Sequence, residues 1–122
     1  MFVLMDIEWI ENRIHHICPT QIAAMRVDEQ WHCLDLFYSR IRPRDPSFHQ
    51  WKHMAYSGAS ATDFLYANSL YRVLTELQDW LRGDDIICFW FEDSKNILKS
   101  VYNLVLKYKV PQRIVILGDY VE

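Results

Sequence analysis

Asp6 and Glu8 are the residues whose types and spacing point most directly to chemistry. They stand in FVLMDIEWIEN, residues 2–12, where an apolar run of strand type takes on two carboxylates two positions apart. On a strand, residues i and i+2 point to the same side. Asp6 and Glu8 are therefore expected side by side at the C-terminal end of a strand. Two ionised carboxylates so close repel one another, and each loses hydration at a sheet surface. A divalent cation relieves both. Mg²⁺ or Mn²⁺ prefers hard oxygen ligands, commonly a few carboxylates with waters and substrate phosphate. The competing reading is a strand that has simply reached solvent.

A third acid, Asp93, follows the apolar run IICFWF and opens a helical pattern. Open α/β sheets gather functional groups at the carboxyl ends of their strands. If the two strands are neighbours, Asp6, Glu8 and Asp93 converge there. The competing role for Asp93 is a helix N-cap, which stabilises by about 1 kcal/mol. Arg40, Arg42 and Arg44, with Lys52, form the one local basic cluster, suited either to phosphate contacts or to a solvated strand edge. His49 and His53 are i, i+4 on a short helical pattern with no accompanying acid motif, which favours a solvated or substrate-facing helix. Trp9, Trp51 and Trp90 could stack on bases, but Trp90, inside an apolar run, reads as core. Trp9, Arg40, Arg42, His49 and Lys52 are thus the candidate nucleic-acid contacts. His15, His16, Cys18, His32 and Cys33 fit none of the usual zinc spacings and read as surface histidines and buried thiols.

These residues need elements to position them. Residues 2–8 form a candidate strand with Phe2 and Leu4 on one face and Val3, Met5 and Ile7 on the other, as in a central strand covered on both sides. Residues 21–27 make a second strand, Asp28-Glu29-Gln30 a hairpin turn, and residues 31–42 a third strand with period-two alternation. Pro43 and Pro46 end it. A short helix is expected over 48–57, closed by Gly58. Leu70, Val73, Leu74, Leu77 and Leu81 form one stripe, so a helix spans 69–81. Residues 85–91 form a buried fourth strand. A second helix, capped by Asp93 or Ser94, runs to about Lys107, and RIVIL at 113–117 is the fifth strand. The expected fold class is α/β: a mixed sheet of about five strands, the first three antiparallel, with helices on its faces.

Composition bounds the function. The chain has 122 residues, 51% hydrophobic and 24% charged, with five Trp, seven Tyr and six Phe. That length suits one domain with a core of its own. The formal net charge of −3 argues against holding nucleic acid by bulk electrostatics while permitting a local basic rim. No apolar run is long enough to span a bilayer, and the N-terminal run lacks the basic lead of a signal peptide. Three well-separated cysteines, Cys18, Cys33 and Cys88, read as reduced thiols in a cytoplasmic protein.

Taken in order, these segments resemble the DEDD-type 3′–5′ exonuclease family, which has a ribonuclease H-like fold. FVLMDIEW resembles its first motif, a strand ending in Asp-x-Glu. PTQIAAMRVD and FYSRIRP resemble the next two strands. HQWKHMAYSGASATDF falls where that family has a short helix and a turn. WLRGDDIICFWFEDSKNIL resembles the second motif, in which an Asp precedes a Leu by five, as Asp93 precedes Leu98. This spacing selects Asp93 over Glu92.

The resemblance implies two Mg²⁺ or Mn²⁺ ions about 3.5–4 Å apart, a single-stranded DNA or RNA 3′ end as substrate, and a 5′-mononucleotide as product. Asp6 would bind both ions, Glu8 the one that activates water, and Asp93 the one beside the leaving 3′-oxygen. Two segments depart from the family pattern: Glu8 is followed by Trp9-Ile10-Glu11-Asn12, and AYSGA (55–59) is looser than the usual turn. The family's third motif, a helix with a general-base His and a fourth Asp five positions on, has no counterpart: no His follows His53, and the sequence stops at Glu122. The expectation is one exonuclease-like domain over 1–122, incomplete at its C-terminus and without the last helix. It is either part of a longer exonuclease or an inactive relative that keeps the fold for interaction or nucleic-acid binding. Sheet surface left bare by a missing helix would favour a homodimer.

Overall fold

The computed structural model describes residues 1–11, 17–43 and 66–120. The helix expected over 48–57, with Arg44, His49, Trp51, Lys52 and His53, lies outside the described residues, as do His15 and His16.

Alternating apolar residues build the sheet. The strands are β1 (Phe2–Glu11), β2 (Ile17–Val27), β3 (Cys33–Arg40), β4 (Ile86–Phe89) and β5 (Arg113–Ile116), in the order β3-β2-β1-β4-β5. β1 pairs antiparallel with β2 and β2 antiparallel with β3, while β1–β4 and β4–β5 are parallel. This is the mixed five-stranded sheet expected, its first three strands antiparallel. β1 and β2 run longer than their apolar cores because an irregularity between Glu8 and Trp9 lets pairing continue to Glu11 opposite Ile17.

Two α-helices stand among the described residues. Helix α1 (Leu70–Trp80) starts where the Ser69 hydroxyl accepts the Arg72 amide and buries Leu70, Val73, Leu74 and Leu77. Helix α2 (Glu92–Val101) buries Ile97, Leu98 and Val101, then widens into a π-helical turn over Tyr102–Leu106 that ends at Lys107 with φ 64°. One apolar core holds Val3, Met5 and Ile7 of β1, Ile22 and Ala24 of β2, Ile87 and Phe89 of β4, and the buried side chains of both helices. These two helices therefore share one face of the sheet. The topology requires this: β3 to β4 and β4 to β5 are both parallel crossovers moving the same way across the sheet, and right-handed crossovers of one direction lie on one side.

The opposite face carries Phe2, Leu4, Asp6 and Glu8 from β1. Met25, Leu34, Leu36 and Tyr38 of β2 and β3 are exposed there.

One ionic group sits in the helix-covered layer. Arg26, 1% exposed, donates to Asp85 Oδ2 at 2.8 Å and to the Trp80 carbonyl at 2.7 Å, and its guanidinium lies 4.0 Å from the centroid of the Trp80 ring. Asp35 accepts from both Arg26 and the Trp80 indole. Burial opposes the Asp85 charge, but the Arg26 hydrogen bonds and the Arg82 amide outweigh it and hold the carboxyl below its usual range. A carboxyl lowered on folding stabilises at neutral pH and loses that contribution as pH falls through its folded pKa. Removing one partner of a buried pair strands the other charge. Arg26→Ala should therefore cost about 3–5 kcal/mol at neutral pH, measured by urea denaturation, and the deficit should shrink in acid.

Candidate metal and nucleic-acid site

β1 is the central strand, and its period places the carboxylates. Val3, Met5 and Ile7 face the helices, so Asp6 and Glu8 face the other way, and both are exposed. The pair contacts itself. Burial raises the pKa of the Glu8 carboxyl first, and a hydrogen bond and charge repulsion from Asp6 raise it further. A hard divalent cation between the two carboxyls would relieve that repulsion.

β4 runs beside β1, with Phe2 paired to Ile86, Val3 to Ile87 and Leu4 to Cys88. The pairing ends at Leu4–Cys88, and Asp6 and Trp90 each follow two residues later. This is the switch point of the sheet: from β1 the chain runs on to Glu11 and returns along β2, while from β4 it passes into α2. Such a switch point is where open sheets collect functional groups.

The fourth strand is shorter than its apolar run suggests. It ends at Phe89, leaving Trp90 51% exposed and Phe91 65% exposed, with their rings edge to face at 6.3 Å. Trp90 is thus not a core residue. The cause is backbone geometry: the Gly118 amide donates to the Trp90 carbonyl at 3.0 Å, and a Cβ on Gly118 would lie 2.6 Å from that oxygen. The glycine after β5 thereby fixes the departure of β4.

Helix α2 consequently begins at Glu92, with Phe91 at the N-cap position and no side-chain cap. Neither Asp93 nor Ser94 is the cap. Asp93 is exposed in the first turn, where the helix dipole favours a carboxylate. Among the described residues no three His, Cys, Asp or Glu side chains gather closely enough to hold a metal. Asp6 and Glu8 meet, and Asp93 stands beyond them at the start of the neighbouring helix. The donor chemistry of the pair fits Mg²⁺ or Mn²⁺.

The other candidates separate. Arg40 lies on the carboxylate face, in one lateral row with Glu8 through Gln21. Arg42 is exposed just past β3, where its amide bonds the Asn68 carbonyl. Trp9 turns to the other side and packs against the core. Cys18, Cys33 and Cys88 form no disulfide, Cys18 and Cys88 being buried and Cys33 exposed, and His32 is engaged by Asp28.

No protein-family model and no curated protein matches the chain. Solved structures match its fold. The structure of E. coli Exonuclease I in complex with a dT13 oligonucleotide is similar over 98% of this chain and 28% of its own, with TM-score 0.74 and 14% identity. A 3′-exonuclease solved for 3′-end specific recognition of histone mRNA stem-loop is similar over 88% of this chain and 42% of its own, with TM-score 0.69 and 11% identity. A full-length 3′-exonuclease is similar over 73% and 33%, with TM-score 0.60 and 12% identity. The chain spans less than half the length of each of these. It has their fold, the ribonuclease H-like arrangement its motifs resemble.

The raised Glu8 pKa has a stability consequence. A carboxyl raised on folding favours the fold below its unfolded pKa and loses that contribution as pH rises through the folded value. In chelator at neutral pH, Glu8→Gln should melt above the parent protein, and the difference should disappear below the carboxylate range. Thermal unfolding by circular dichroism checks both.

Proposed function

We propose that this chain is a nucleic-acid-processing domain of the 3′–5′ exonuclease type that depends on Mg²⁺ or Mn²⁺. The observation that carries the reading is the meeting of Asp6 and Glu8 on the open sheet face, beside the start of α2, in a fold like that of solved 3′-exonucleases. Asp6 and Glu8 are the ligands of the first ion, and Asp93 is the carboxylate assigned from the neighbouring helix. Ions held there would supply a water nucleophile at neutral pH and neutralise charge on the phosphate. Arg40 and Arg42 position the phosphates of a single strand, of either DNA or RNA, whose 3′ end lies at Asp6 and Glu8. His49 and Lys52 are assigned to the same contact. The compartment proposed is the cytoplasm, which fits three cysteines that form no disulfide.

Calorimetric titration with Mn²⁺ should show specific uptake by the parent protein and none by Asp6→Ala. With Mn²⁺, a 3′-labelled single strand should release labelled mononucleotide. No specific uptake would sink the metal reading. Uptake and oligonucleotide binding without release would leave a nucleic-acid-binding module as the function.

We also assign the apolar half of the open face, Met25, Leu34 and Leu36, to contact with a second copy. Sedimentation velocity should give a dimer that Leu36→Asp converts to monomer. A parent protein that stays monomeric at high concentration contradicts this.

A further inference from the structure

Strand register aligns residues across the open face in lateral rows. One row runs from Tyr38 on β3 through Ala23 on β2 to Asp6 on β1. On the far side of β1, Trp90 follows the end of β4 directly, two residues past the Leu4–Cys88 pair as Asp6 is. The two ends are exposed aromatics, Tyr38 at 56% and Trp90 at 51%. Between them Ala23 contributes only a methyl group, and Asp6 contributes the carboxylate. The next row, Glu8, Gln21 and Arg40, is polar throughout. It is tied to the first row by the Tyr38 hydroxyl, which donates to Gln21 Oε1 at 3.2 Å. At the other end, the Gly118 amide fixes the Trp90 carbonyl and Phe91 meets the Trp90 ring edge to face. Both aromatics are therefore held in place although exposed.

We infer that this row is the path of the single strand: the terminal base stacks on Trp90 and a base further upstream on Tyr38, with Asp6 between them. The inference rests on the exonuclease reading and deepens it. Exposed aromatics are sequence-tolerant stacking platforms for single strands, and Arg40 lies where a backbone crossing Ala23 would pass. The dimensions agree. Three interstrand spacings of about 4.8 Å make the row about 14 Å long, roughly four rises of stacked nucleotides at about 3.4 Å each. A dinucleotide cannot reach both aromatics, whereas a hexanucleotide can.

Fluorescence anisotropy in Mn²⁺, with oligonucleotides carrying phosphorothioate linkages to prevent cleavage, tests this. Trp90→Ala should weaken binding of both a dinucleotide and a hexanucleotide by about tenfold. Tyr38→Ala should weaken only the hexanucleotide, by a similar factor. Trp90→Phe and Tyr38→Phe should recover most of the affinity, and neither alanine variant should lower the salt dependence of binding, since stacking releases no counterions. Circular dichroism and melting should match the parent protein. Folded alanine variants that bind the hexanucleotide as tightly as the parent overturn the path while leaving the exonuclease reading intact. So does a Tyr38→Ala variant that loses the dinucleotide as much as the hexanucleotide. A parent protein that binds no oligonucleotide overturns both.

Discussion

β1 is hydrogen-bonded along both edges, antiparallel to β2 and parallel to β4. The rest of the structure depends on that double pairing, because it fixes which way every second residue faces. A slip by one residue would turn Asp6 and Glu8 into the core and push Val3, Met5 and Ile7 into solvent. The apolar layer beneath α1 and α2 thus holds the carboxylates on the open face. Arg26 and Asp85 reinforce the register. Their ion pair joins β2 to the entrance of β4 across the strand between them, and a displaced β1 would separate the two charges inside the core.

Both described helices cover the same face, and the exposed Asp6 and Glu8 lie on the other. Two acids beneath a helix would need buried partners, whereas on an open face they can take a cation and water. The open face is divided. Toward the β2–β3 hairpin it is apolar, with Phe2, Met25, Leu34 and Leu36. Toward the carboxyl end of β1 it carries Asp6, Glu8, Gln21 and Arg40, flanked by Tyr38 and Trp90. The proposed second copy would take the first half and the proposed nucleic acid the second.

Much of this was legible in the sequence, for physical reasons that differ by residue. The alternation of β1 and β3 declares their faces, so the adjacency of Asp6 and Glu8 could be read directly. The stripe from Leu70 to Leu81 declares α1 in the same way. The end of β4 could not be read. Hydrophobicity says that Phe89, Trp90 and Phe91 are apolar, but the turn is set by a backbone bond to Gly118, which follows a different strand. That bond moved Trp90 from core to surface and moved the helix start to Glu92, so Asp93 lost its expected capping role. Arg26 was equally hidden. A single charge at the end of a strand looks solvated, and its partner Asp85 lies 59 residues away. The alignment of Tyr38 with Asp6 depends on register across three strands, which alternation alone does not set.

The central claim is that a divalent cation sits on the open face between the end of β1 and the start of α2. Paramagnetic broadening of backbone amide signals by substoichiometric Mn²⁺ tests it most directly. The account predicts that the signals of Asp6, Glu8, Glu92 and Asp93 broaden first and together, while those of the Arg26–Asp85 region persist. Broadening that spares β1, or that spreads over surface acids without preference, would contradict it.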